Sequence, residues 1–148
     1  FKDVAFRIPD NETESEEPGA KHGKTKPITT MNVKSMIGYP TNETKVYLNS
    51  HLTVRGVAFD QGKGIREVLV STDDGKTWEQ AILDDGKNGR YSFREFRYTF
   101  NPGKYGKQTI MTKAINKAGE EQPLAEDIGW NHGGYKYNGI DAVTIEVV

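Results

Sequence analysis

The chain has 148 residues, with 20 Lys+Arg against 21 Asp+Glu and a formal net charge of -1, so no global field steers it onto nucleic acid or an anionic membrane. At 34% hydrophobic and 28% charged it can form one domain with its own core, but several of its faces must be wet. The chain contains no cysteine, which excludes disulfides, thiolate metal sites and thiol catalysis, and no apolar run approaches the length of a membrane span. It opens on Phe1 rather than Met, without the basic-then-apolar layout of a signal peptide, and reads as a mature or excised fragment.

Residues 1–28 read as an extended arm or interdomain linker, and residues 29–148 as the folded domain. Phe1, Val4, Phe6 and Ile8 give the arm an apolar start that can dock. After Pro9 an acidic run (Asp10, Glu12, Glu14, Glu16, Glu17) and a basic one (Lys21, Lys24, Lys26) follow. Such a stretch buries too little apolar surface to offset the entropy of ordering it, so it is expected to be solvated. Asn11-Glu12-Thr13 and Asn42-Glu43-Thr44 match the glycosylation acceptor pattern, which is too short to carry weight.

Strand signals with turn punctuation then begin. Met31 to Ile37 and Thr44 to Leu48 are separated by Gly38-Tyr39-Pro40. The stretch from Leu52 to Leu83 is the organising one and predicts three consecutive strands of a single antiparallel sheet. Leu52 to Phe59 alternates Leu52, Val54, Gly56 and Ala58 against a mixed second side. A glycine-flanked turn, Asp60 to Gly64, leads to Ile65–Ser71, and Asp73-Asp74-Gly75-Lys76 predicts a hairpin. Trp78, with Ala81 and Leu83, is the expected apolar anchor of this half. Further strands are expected at Phe93 to Phe100, with Phe96, Tyr98 and Phe100 on one face, at Gly106 to Ile115, and at Ala142 to Val148. No segment carries a long helical period. About seven or eight strands predict an all-β, immunoglobulin-like antiparallel β-sandwich with an extended N-terminal arm.

Motifs for chemistry are sparse. His22, His51 and His132 are far apart, and none has a second ligand at metal-binding spacing. Asp84, Asp85 and Asn88 lack the alternation and closing glutamate of a calcium loop and read as a turn, as does Asp73-Asp74. Gly62, Gly64 and Gly133-Gly134 open no helix and so make no phosphate loop, and no nucleophile elbow is present. The cluster from Trp130 to Gly139 (WNHGGYKYNG) is dense in aromatics, amides and glycine. It reads either as a packed Ω-like loop before the last strand or as a binding surface whose rings give contact area at low entropy cost.

The run Gly56-Val57-Ala58-Phe59, Ile65 and Val68 to Ala81 (VLVSTDDGKTWEQA) resembles the C-terminal dimerisation domain of sulfite-oxidase-type molybdenum enzymes. So do the later Gly119-Glu120-Glu121-Gln122-Pro123, Trp130-Asn131, Gly134-Tyr135 and Asn138. The opening Phe6 to Asn11 resembles the segment by which the bacterial sulfite dehydrogenase and SoxC-like branch leaves its catalytic domain. Phe59 stands where many members carry Trp. The resemblance implies an early-set sandwich and a homodimer partnered by its own catalytic molybdenum-pterin domain, with neither nucleic acid nor membrane as partner. It also implies a periplasmic location. A molybdopterin-type cofactor is expected in that separate domain and none in this fragment, which has no metal-ligating cysteine and no catalytic residue. Trp130, Asn131, Tyr135 and Tyr137 are the candidate interface residues. In some members of the family a basic residue of this module reaches the neighbouring subunit's substrate channel, and Arg55, Arg66, Arg90, Arg94 and Arg97 are the candidates here. Two other classes stand beside this reading: a secreted immunoglobulin-like carbohydrate- or surface-binding module with Tyr135 and Tyr137 as its platform, and a small hydrolase using His132 or His51.

Overall fold

The computed structural model describes residues 7–9, 25–27, 32–60, 62–86, 93–124, 127 and 138–148, and the elements among them are strands. Two short ones, β1 (Arg7–Pro9) and β2 (Thr25–Pro27), pair antiparallel with each other. The others build two facing sheets. In the four-stranded sheet the order is β3 (Lys34–Tyr39), β5 (Leu52–Phe59), β9 (Arg94–Phe100), β8 (Ile82–Leu83). In the five-stranded sheet it is β4 (Lys45–Val46), β11 (Asp141–Val147), β10 (Gly106–Asn116), β6 (Ile65–Ser71), β7 (Glu79–Gln80). Every pairing is antiparallel except that of β4 with β11.

The period-two alternation decides which face each strand buries. In β5, Leu52, Val54 and Ala58 point inward and are buried, while Arg55 is exposed. Together with Val33 and Phe96 they meet Val68, Val70, Ile110, Ala114, Val143, Ile145 and Val147 of the opposite sheet. Each large side chain buried there contributes about 1.5–3 kcal/mol. Gly56 lies on the inward row beneath the Phe96 ring. A Cβ at that position would come within 2.1 Å of the Met36 carbonyl oxygen and 2.5 Å of the ring, so the close approach of β3, β5 and β9 requires glycine.

The sandwich is as expected, but the sheet membership within Leu52–Leu83 is not. β5 and β6 have the predicted bounds, yet β5 belongs to the four-stranded sheet and β6 to the five-stranded one. The turn after Asp60 therefore carries the chain across the core instead of back alongside β5. Two strands with one apolar face each can be stacked face to face as readily as paired edge to edge, and alternation alone does not distinguish these. The hairpin after β6 does form. Its register, Leu69 opposite Gln80 and Val70 opposite Glu79, centres on Asp74 and Gly75, which have φ of 64° and 81°. At Ala81 the chain leaves the five-stranded sheet and enters the other as β8. Trp78 is not the core anchor expected of it: it is half-buried outside the central cluster, with the Lys113 ammonium 4.6 Å from its ring centroid. A second sheet switch lies at the other side, where β3 continues through buried Pro40 into β4.

Candidate functional site

Trp130, Asn131, Tyr135 and Tyr137 lie outside the described residues, but both ends of their loop are described. The chain reaches it from β10, which ends where Asn116 Oδ1 accepts the N–H groups of Ala118 and Glu120 and turns the chain back. Gln122 N–H then donates to the Ala114 carbonyl, and Ile140 N–H, after the loop, donates to the Pro123 carbonyl at 3.0 Å. The loop is thus closed at its base.

Gln122 is the tie. It is 1% exposed, and its Oε1 accepts from Ser35 N–H (2.8 Å), Ser35 Oγ (2.6 Å) and Ala114 N–H (2.8 Å). Its Nε2 donates to the carbonyls of Asn138 (3.0 Å) and Gly139 (2.9 Å). The opposite amide orientation would set N–H groups against N–H groups, so the partners determine it. Thr112 and Ser35 hydroxyls add a 3.0 Å bond between the sheets. Asn138 Nδ2 donates to the Val33 carbonyl, and Asp141 Oδ2 accepts from Ile37 N–H at 2.6 Å. The outward N–H groups of β3 therefore end on side chains of the opposite sheet and of the loop base, and the loop root is fixed to the β3 edge.

The candidate arginines separate by environment. Arg90 lies outside the described residues. Arg94 ion-pairs with Asp84, and Arg66 pairs with its neighbour Glu67. Burial pushes the Asp84 carboxyl up, but the N–H of Glu95, the Arg94 guanidinium and the N–H of Gly86 together hold it below its ordinary value. Those same partners occupy the two Asp84 carboxylate oxygens, and Asn88 lies outside the described residues. Arg55 and Arg97 stand directly opposite each other on the outer face of the four-stranded sheet, exposed, with no ion-pair partner among the described residues. They flank a shallow concavity of ≈ 360 Å³ bordered by Tyr39, Val57, Ile82 and Glu95.

His51 is exposed, and His22 and His132 lie outside the described residues. Among the described residues no group of three or more His, Asp or Glu is placed to hold a metal ion, and no helix is long and apolar enough to cross a membrane. Asn42, in the second acceptor pattern, is exposed, and its Oδ1 accepts the Thr144 N–H. Gln122 stood in a run that carries the family resemblance, but nothing in the sequence pointed to a buried structural role for it, since glutamine is usually a surface residue. The opposed pair Arg55 and Arg97 becomes visible only with the strand register.

These features define an immunoglobulin-like all-β module with one tethered loop and one open sheet face. The chain belongs to the Mo-co oxidoreductase dimerisation domain family, whose model matches residues 25–147. Among solved structures it is similar to the sulfane dehydrogenase SoxCD from Paracoccus pantotrophus, with 22% identity and a TM-score of 0.67 over 80% of this chain and 33% of that one. It is also similar to the fibronectin(III)-like modules of CbhA from Clostridium thermocellum, with 15% identity and a TM-score of 0.52 over 84% of this chain and 54% of that one. Both likenesses are of fold, and the chain spans about a third of the SoxCD chain. No curated protein matches it.

Proposed function

We propose that this chain is the non-catalytic association module of a molybdenum-cofactor-dependent oxidoreductase of the sulfite oxidase type. The family match across residues 25–147 carries this reading. Residues 29–148 act as the module, and residues 1–28 lead from a catalytic domain that the module braces. Two copies meet about a two-fold axis, each presenting the same patch. Trp130, Asn131, Tyr135 and Tyr137 contribute to that contact, on a loop whose root Gln122 ties to β3. The enzyme works in the periplasm. The molybdenum cofactor does not fit this chain: a metal held through a protein thiolate finds no cysteine here, so the module's own residues serve assembly and not turnover.

Sedimentation equilibrium of the chain over a wide concentration range tests the reading. A reversible dimer that Trp130→Ala weakens about ten-fold or more, as loss of a buried aromatic anchor does, is expected. A strict monomer at the highest concentration, with the fold intact by circular dichroism, overturns autonomous association.

A further inference from the structure

The outer face of the four-stranded sheet carries two adjacent cross-strand rows. Registers place Tyr39 opposite Arg55, Arg55 opposite Arg97, and Ile82 opposite Arg97. The next row is Met36, Val57 and Glu95, again in register. Met36, Tyr39 and Ile82 are 46%, 48% and 57% exposed, and Arg55, Arg97 and Glu95 are exposed as well. Methionine, tyrosine and arginine are the side chains enriched in association surfaces. Two arginines directly opposite each other repel, so on an isolated module the first row is destabilising. The carboxylate nearest in register, Glu95, is engaged with neither.

The rows are about 7 Å apart, two residues along the strand. A two-fold axis lying in the plane of contact, crossing β9 between Glu95 and Arg97, exchanges them. It lays the partner's first row over this copy's second row, and the reverse. Arg97 of each copy then meets Glu95 of the other, Arg55 lies over Val57 beside that same carboxylate, and Tyr39 covers Met36. Arg97 gains a carboxylate beside which Arg55 also lies, and Tyr39 and Met36 gain each other, while Ile82 has no apolar counterpart in the second row. We infer that this face is self-complementary and that its occupant is the same face of a second copy of this chain, with reciprocal Arg97–Glu95 pairs at the centre. The inference rests on the association reading above and adds to it the face, the axis and the charged pairs. Four strands by about 20 Å bury about 400 Å² per copy, below the about 800 Å² per partner of a stable complex. The face alone therefore gives a weak, salt-sensitive dimer.

Charge reversal tests the geometry. Glu95→Arg makes both rows cationic, and Arg97→Glu gives each row a central carboxylate. Each variant alone is expected to dimerise at least about ten-fold more weakly than the parent chain, while an equimolar mixture of the two forms a heterodimer. Both substitutions are at exposed positions, and unchanged thermal melting verifies that each variant folds. A parent dimer that neither reversal weakens overturns this face and leaves the association reading in place, whether the face is then free or covered by the catalytic domain. A parent chain that stays monomeric overturns this face and autonomous association together. Variants that are each weakened but fail to pair in the mixture overturn the reciprocal Arg97–Glu95 contact.

Discussion

Gln122→Met isolates the work of one buried amide. Methionine is close to glutamine in volume and adapts its shape, so the site stays filled while both polar ends disappear. The native amide makes five hydrogen bonds: three accepted, from Ser35 N–H, Ser35 Oγ and Ala114 N–H, and two donated, to the Asn138 and Gly139 carbonyls. The Ser35 hydroxyl retains Thr112, so four backbone groups are orphaned. At about 1 kcal/mol each, the low end of the penalty for an unsatisfied buried group, the loss is about 4 kcal/mol. That is a large fraction of the 5–15 kcal/mol that typically holds a domain together. Urea unfolding followed by circular dichroism measures the loss, and hydrogen exchange at Ile140 and Ser35 should accelerate with it. Gln122→Glu supplies the control. One oxygen can still accept from Ser35 and Ala114, but the other faces two carbonyls, so the introduced carboxyl has a folded-state pKa raised above its unfolded value. Its penalty is small below about pH 4, grows as the unfolded chain ionises, and levels off once pH passes the raised value. A Met variant within about 1 kcal/mol of the parent chain, or a Glu variant whose deficit does not change with pH, would refute the assignment of Gln122 as the tie.

Asp73 is the clearest acid-sensitive element. Hydrogen bonds from the Thr77 hydroxyl and N–H, with a further one from Ser71, pull its carboxyl from 3.8 to about 2. A depressed carboxylate contributes stability above its unfolded pKa and loses it as pH falls through the folded one. The stability gap between the parent chain and Asp73→Asn should therefore be constant above about pH 5 and close as pH falls toward 2, as denaturant titration at several pH values will show. Gly56→Ala should destabilise by about 1–3 kcal/mol or more, because the new methyl meets a carbonyl and a buried ring. A melting temperature unchanged by that substitution would contradict the packing of Phe96 over β5.

Much of the fold was legible wherever a strand has one wet and one buried face. β5 and β6 were bounded by alternation, and β9, β10 and β11 to within a residue or two, because Val54, Ile110 and Ile145 sit in phase with polar neighbours. Sheet membership was not legible. The turn after Asp60 and the switches at Pro40 and Ala81 depend on which of two apolar faces meets which, a long-range choice that local pattern does not encode. The parallel pairing of β4 with β11 was hidden for the same reason, since it joins residues about a hundred positions apart. The loop from Trp130 to Tyr137 was singled out by composition and lies outside the described residues, whereas its root residues Gln122 and Asn138 were noted only for the resemblance and not as a tie. Gln122 looks like any polar residue until its five partners are assembled around it. The opposed arginines needed a register that no turn motif supplied.

The two switch points have a consequence for assembly. Because the chain passes from one sheet to the other near Pro40 on one side and at Ala81 on the other, the strands left at three of the four margins, β4, β7 and β8, are two residues long. The fourth margin, β3, has its Ser35 and Ile37 N–H groups already occupied by Gln122 and Asp141. Among the described residues of the two facing sheets a newcomer strand finds no long free ladder to extend, which disfavours growth by edge addition into open-ended ribbons. Association through a broad side of the sandwich stays open instead, and a contact that maps one such side onto itself is complete at two copies. The same stitching that closes the fold thus withholds a template for edge-on growth along its two main sheets.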